Sequence, residues 1–249
     1  MMEANLYSNA RIPELPKPPK AQARKSRSVW LVVGLILLSA IPLISGGFRL
    51  NQLANGATIT PENARFFAAP LPVVLHIVSV SFYAILGAFQ FVPNLRQRRN
   101  RWHRIAGWFL IPCGLIVALS GLWMTLFYPW PKGDGVIVYG ERLLFGSGML
   151  LAILLGIAAI GRRDFTRHGH WMLRGYAIGM GAGTQVLTGM VAAIFVDPPT
   201  ERSRAILMGA AWVINLALAE WIIRRLTSRS ARVASKHART ASAGISDLQ

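Results

Sequence analysis

Six apolar stretches separated by polar connections constrain this chain more than any other feature. They comprise residues 29–47, 70–92, 105–128, 143–161, 172–196 and 205–223. Each has about the 17 to 25 residues that an α-helix needs to cross a hydrocarbon core about 30 Å thick. The sequence therefore predicts an all-α, polytopic membrane bundle of six transmembrane helices.

The Lys and Arg residues lie mainly in alternate gaps between these stretches. Of the 27 in the chain, 21 lie in the N-terminal segment, the second and fourth connections and the C-terminal tail, and six belong to the other three connections. Basic residues near span ends are retained on the cytoplasmic side. The pattern therefore predicts that both termini are cytoplasmic, and that most of the net charge of +17 faces anionic lipid headgroups on that side.

The chain divides into five predicted segments. Residues 1–28 form a disordered, basic, Pro-rich arm, residues 29–47 the first transmembrane helix, residues 70–196 a four-helix core, residues 205–223 the sixth helix, and residues 224–249 a mobile basic tail. Nucleic acid is not an expected partner, because interspersed stacking aromatics and a separate basic domain are both missing. The sequence is compatible with a homo-oligomer.

A polar stripe follows one face of the second span. His76, Tyr83, Gly87, Gln90 and Asn94 lie within about 40° of one another on a helix. Polar residues inside a bilayer usually hydrogen-bond neighbouring helices, whereas an intramembrane ionisable group also indicates a ligand or proton path. Both interpretations stay open at this point.

Glycine faces follow histidines in the third and fifth spans. Gly107 follows His103 by four residues, and Gly175 and Gly179 follow His168 by seven and eleven. Such faces allow close helix packing. They also leave room for a flat macrocycle beneath an axial histidine, as in b-type haem sites.

One haem b is therefore an alternative function, in which the iron is held by His103 and by His170 or His168. These last two stand two residues apart, so a helix directs only one of them to a given face. Such a protein would exchange electrons with quinone, whose carbonyl Gln185 in the fifth span is suited to bind, although such an amide more often bonds a neighbouring helix. No other metal site is predicted.

The basic ends of the third and fifth spans predict a binding module. His103, Arg104, His170 and Arg174 are suited to hold an anionic lipid headgroup or a planar cofactor, although the same residues are also ordinary topology anchors. A small-solute transporter or a structural membrane subunit remains a further alternative. The sequence has no recognisable Ser-His-acid triad and no Gly-rich phosphate loop, so no catalytic residue is predicted.

Four segments resemble a bacterial family of predicted membrane proteins, the domain of unknown function 2306. They are GAFQFVP at 87–93, HRIAG at 103–107, SGL at 120–122 and HWMLRGY at 170–176. The resemblance covers roughly residues 71–195 and implies a multi-helix fold in a bacterial inner membrane. It highlights His76, His103 and His170 and supplies no activity. The usual pattern of the family at this place is His-Arg-x-Trp-Met, whereas residues 167–172 of this chain are RHGHWM. Either His168 or His170 therefore occupies the position of the motif histidine.

Overall fold

The computed structural model describes residues 19–91, 100–195 and 200–246, and within these ranges it contains helices and no strand. The helices are α1 (Pro19–Ala54), α2 (Ala64–Ala68), α3 (Pro70–Gln90), α4 (Asn100–Phe127), α5 (Val136–Gly161), α6 (Phe165–Gly179), α7 (Gly181–Phe195) and α8 (Glu201–Ser246). The predicted all-α membrane bundle is confirmed. The predictions for residues 1–18, for Asn94, for the arginines at 96, 98 and 99 and for Val196 lie outside the described residues.

Five of these helices are long and apolar enough to cross a membrane. The spans are Val29–Ala54, Pro70–Gln90, Arg101–Phe127, Val136–Gly161 and Glu201–Ser228, and the bent pair α6–α7 makes a sixth when counted as one span. Each predicted apolar stretch therefore corresponds to one of these helices or to the bent pair.

The outermost helices extend beyond the predicted spans. Helix α1 begins at Pro19, inside the segment predicted to be disordered, and α8 continues to Ser246, through most of the predicted mobile tail. Residues 19–28 and 229–246 are rich in Ala, Lys and Arg, which have high helix propensity. Hydropathy marks only the part of a helix that lies in lipid, so it misses these extensions.

The fifth predicted span, 172–196, is two helices rather than one. Helix α6 begins seven residues earlier, at Phe165, because the Asp164 side chain accepts a hydrogen bond from the Arg167 N–H at 2.9 Å and caps the first turn. The two helices differ in direction by 42° at Met180. Just after the break, a Cβ at position 181 would overlap the indole of Trp212, so Gly181 allows α7 to approach α8 closely.

The helices pack around a core that contains Tyr83, Cys113, Val117, Ile153 and Tyr176. Helix α3 lies along α4, α5 lies along α4 and α6, α1 crosses α3 and α7, and α8 packs against α6 and α7. Large apolar side chains cover the outside of this bundle, as a lipid-facing surface requires.

Three connections meet at one end of the bundle, which we call the basic-poor face. There the Arg65 guanidinium donates to the Pro129 carbonyl at 3.1 Å, and the Tyr128 hydroxyl donates to the Ala69 carbonyl at 2.5 Å. Arg204 at the start of α8 reaches Asp134 in the α4–α5 connection. The opposite end, with the α5–α6 turn and the beginning of α4, is the Arg-rich face.

Candidate functional site

A cavity of about 470 Å³ lies beneath the basic-poor face. Each of the helices α1 to α8 contributes to its walls, which are mainly apolar. The polar side chains that line it include Ser39, Arg65, His76, Thr125, Asp134, Tyr139, Arg142 and Gln185. A mainly apolar cavity with a few convergent polar groups is the usual form of a small-molecule site.

Arg65 is the most unusual of the lining residues, because it forms no ion pair with any carboxylate of the described residues. It lies on α2, and its side chain is partly buried. Its Nε is shielded from solvent and has no hydrogen-bond partner among the described residues. The Arg49 and Arg65 guanidiniums both contact the Phe66 ring, at 4.3 and 4.7 Å from its centroid. Burial and the nearby charge of Arg142 lower the pKa of Arg65 below its ordinary value, and the charge of Asp134 offsets only part of that shift.

Asp134 joins two further arginines at the same end. Its side chain is 2% exposed and forms ion pairs of 2.6 Å with Arg142 and with Arg204. The sequence does not single out this residue, because Asp134 belongs to no recognisable motif and its partner Arg204 is 70 residues away. One carboxylate thus pairs with two guanidiniums. Arg65 lies near enough to feel the charge of Asp134 but forms no ion pair with a carboxylate of the described residues.

His76 lies on α3, about 9 Å below its first residue by helix rise. Its Nδ1 is 3.1 Å from the Val117 carbonyl oxygen and 3.0 Å from the Ser120 hydroxyl, both on α4. A Cβ at Gly121 of α4 would lie 3.4 Å from the imidazole ring, so glycine at this position leaves room for His76. The predicted candidate His76 therefore does line a cavity, and its ring orientation is fixed by α4.

The other described residues of the predicted polar stripe do not line the cavity. Tyr83 is buried in the core, with its ring 5.7 Å from that of Tyr176, and Gly87 lies against Tyr176. The Gln90 Nε2 is buried without a hydrogen-bond partner among the described residues, and it does not line the cavity. The structure therefore assigns the middle of the stripe to helix packing.

The candidate residues at the Arg-rich face have contacts with the protein itself. Arg174 binds Glu220 through two hydrogen bonds, of 2.5 and 3.0 Å, and its guanidinium lies 4.5 Å from the Trp171 ring centroid. Glu220 lies on α8, so this ion pair joins α6 to α8. The His168 Nδ1 is 2.9 Å from the Gly156 carbonyl oxygen.

The glycine faces are largely filled by side chains. A Cβ at Gly175 would lie 3.6 Å from the Tyr83 hydroxyl oxygen, and one at Gly179 would lie 3.1 Å from a carbon of the same ring. Gly107 has no other atom within 4 Å of that position, and Arg104 is exposed. The space expected for a macrocycle beneath His168 is therefore occupied by Tyr83, while Gly107 faces outward.

The remaining candidates are separate from the cavity. His103 and His170 are half-buried near the Arg-rich face, at the beginning of α4 and within α6. Residues 19–91, 100–195 and 200–246 contain no group of three or more His, Cys, Asp or Glu side chains that could hold a metal ion.

A family model described as a predicted membrane protein, the domain of unknown function 2306, matches residues 73–223. No curated protein and no solved structure matches the chain. The matched region runs from α3 through the membrane part of α8, so it includes His76, Asp134 and Gln185, whereas Arg65 precedes it. The chain belongs to this family, as its sequence motifs indicated.

Proposed function

We propose that this member of the predicted membrane protein family binds an amphipathic anion in the cavity beneath the basic-poor face. The ligand's headgroup, a carboxylate or a phosphate, pairs with Arg65 and lies beside Arg142. Its hydrocarbon chain occupies the apolar part of the cavity. The observation that carries this proposal is the partly buried Arg65 guanidinium, which borders an apolar cavity and has no carboxylate partner in the described residues.

The energetic reason is the cost of an uncompensated charge. Removing a guanidinium from water without a carboxylate partner is unfavourable, and the hydrogen bond to the Pro129 carbonyl leaves its charge in place. The neighbouring Arg49 and Arg142 add repulsion, which the charge of Asp134 offsets only in part, as the lowered pKa of Arg65 reflects. An anion at this position would relieve both effects. A bound carboxylate or phosphate also matches the planar donor geometry of arginine.

The sequence-based alternative places the ligand at the Arg-rich face, on His103, Arg104, His170 and Arg174. Support there is weaker, since Arg174 already has Glu220 as a bidentate partner. The haem b alternative on His103 and His170 or His168 loses part of its basis, because Tyr83 fills the space beside Gly175 and Gly179. A visible spectrum of the purified, dithionite-reduced protein tests it directly, and a sharp reduced α band would favour a cytochrome.

The binding proposal is tested with the full chain purified in a neutral maltoside detergent. Radiolabelled stearate, octadecyl phosphate and uncharged octadecanol serve as probes in equilibrium binding. We expect either anionic probe to bind at least about tenfold tighter than octadecanol, because a hydrogen bond to a charged group contributes about 1.5 to 3 kcal/mol. Preference between stearate and octadecyl phosphate then identifies the headgroup chemistry.

The matched variants are Arg65→Gln and Arg202→Gln. Arg202 lies at the same face but is exposed and does not line the cavity. Arg65→Gln is expected to remove the preference for the anionic probes, and Arg202→Gln to retain it. Equal binding of octadecanol and the anions by the unmodified protein would contradict the proposal, as would an unchanged preference in Arg65→Gln.

A further inference from the structure

The hydrogen bonds of His76 determine which of its ring nitrogens carries a proton. Nδ1 is 3.1 Å from the Val117 carbonyl oxygen, and a carbonyl oxygen can only accept. The proton therefore lies on Nδ1, which donates to α4.

Ser120 is consistent with this assignment. Its hydroxyl oxygen is 2.5 Å from the Ile116 carbonyl oxygen, to which it donates its hydrogen. The same oxygen, 3.0 Å from the His76 Nδ1, therefore acts as an acceptor towards the ring. In a neutral imidazole the second nitrogen then has a lone pair and no hydrogen. Because His76 lines the cavity, the atom that it offers to a ligand is an acceptor, Nε2.

Gln185 contributes the complementary group from α7. It lines the same cavity, and its Nε2 is buried with no hydrogen-bond partner among the residues described. A buried amide of this kind costs free energy unless a ligand or water satisfies it. A hydroxyl is the simplest group that donates to one partner and accepts from another.

We infer that the amphipathic anion bound in this cavity carries a hydroxyl group partway along its chain, which donates to His76 Nε2 and accepts from the Gln185 amide. This rests on the proposed function, since Arg65 fixes the position of the headgroup. His76 is about 9 Å below the first residue of α3, which follows α2 and Arg65. With the headgroup level with the first residue of α3, an extended chain that advances roughly 1.2 Å per bond places the hydroxyl about seven or eight bonds from the headgroup.

Three probes of one chain length test the inference on the purified full chain: stearate, stearate hydroxylated at about the ninth carbon, and 2-hydroxystearate. The ninth carbon is about eight bonds from the carboxyl carbon, as the roughly 1.2 Å advance per bond requires. The mid-chain hydroxy acid is expected to bind roughly 5- to 10-fold tighter than stearate, because it satisfies two groups that stearate leaves unpaired. 2-Hydroxystearate, with its hydroxyl beside the headgroup, is expected to match stearate.

Variants show whether His76 and Gln185 cause that preference. In His76→Phe and in Gln185→Leu, the ratio of the dissociation constants for stearate and the mid-chain hydroxy acid should fall towards one. Arg65→Gln should weaken both probes and keep the ratio. Gln185→Leu leaves the contact between α3 and α4 intact, so it carries the test if His76→Phe does not fold.

The outcomes separate this inference from the proposed function. Equal binding of stearate and the mid-chain hydroxy acid would overturn the inference and leave an anion site. A preference that survives in both His76→Phe and Gln185→Leu would also overturn it. Failure of every anionic probe to bind would overturn the proposed function together with the inference.

Discussion

Asp134 stabilises the basic-poor face by pairing with Arg142 on α5 and with Arg204 on α8. Replacement by Asn keeps the shape of the side chain and removes its charge, so both guanidiniums lose their partner close to Arg65. We expect Asp134→Asn to lower the free energy of unfolding by about 2 to 3 kcal/mol. Thermal unfolding in detergent measures the change.

Glu62→Gln is the matched control for this prediction. Glu62 is an exposed carboxylate at the same face, and it forms no ion pair within the described residues. Its replacement is expected to change the unfolding midpoint little. If Asp134→Asn unfolds at the same temperature as the unmodified protein, the two ion pairs do not contribute to stability.

Only some of the side chains that form the site could be predicted from the sequence. His76 was a candidate because an ionisable residue in an apolar stretch is conspicuous. Arg65 and Asp134 were not, because charged residues in polar connections are ordinary. Their importance comes from burial and from partners such as Arg204, which lies 70 residues from Asp134. No local pattern encodes that proximity.

Helix α7 depends on the absence of a side chain at Gly183, where it crosses α1. A Cβ there would overlap the Leu38 carbonyl oxygen, which belongs to the backbone and cannot rotate away. We expect Gly183→Ala to destabilise the protein by about 1 to 3 kcal/mol, as overpacking generally does. The unfolding midpoint in detergent is again the measurement.

Gly189→Ala provides the comparison on the same helix. The position has no atom within 4 Å of a Cβ and is exposed. Alanine is favoured over glycine in a helix by up to about 1 kcal/mol, so this variant should be neutral or slightly more stable. If Gly183→Ala and Gly189→Ala lowered the unfolding midpoint by similar amounts, the substitutions would act on helix α7 itself rather than on its contact with α1.

The helices show how far apolar patterning predicts a fold of this kind. Hydropathy placed a membrane-spanning element at every predicted stretch, because each must be apolar over about 20 residues. It did not reveal the break at Met180, because α6 and α7 taken together are apolar enough to pass as one span. The close approach of Gly181 to Trp212 and the capping of α6 by Asp164 arise from specific contacts. Average hydropathy is insensitive to such contacts.

The two ends of the bundle differ in how their charges are used. At the Arg-rich face, many basic side chains are exposed, as topology anchors are. At the basic-poor face, there are few basic residues, but Arg65 and Arg142 line the cavity and Arg204 is held by Asp134. The cavity therefore lies towards the end that the charge pattern predicts to be extracytoplasmic, so the proposed ligand is expected to come from that side or from the outer leaflet.

This orientation is tested by introducing single cysteines into the full chain. Cys113 is the only native cysteine and is buried, so the unmodified protein is the labelling blank. Glu62→Cys lies at the basic-poor face and Thr166→Cys near the α5–α6 turn of the Arg-rich face, and both side chains are exposed. Because 21 of the 27 basic residues belong to gaps on the Arg-rich side, the positive-inside rule predicts that this side is cytoplasmic. In intact cells a membrane-impermeant maleimide should then label Glu62→Cys, and Thr166→Cys only after permeabilisation. The reverse pattern would place the cavity on the cytoplasmic side, and the ligand would have to come from the cell interior.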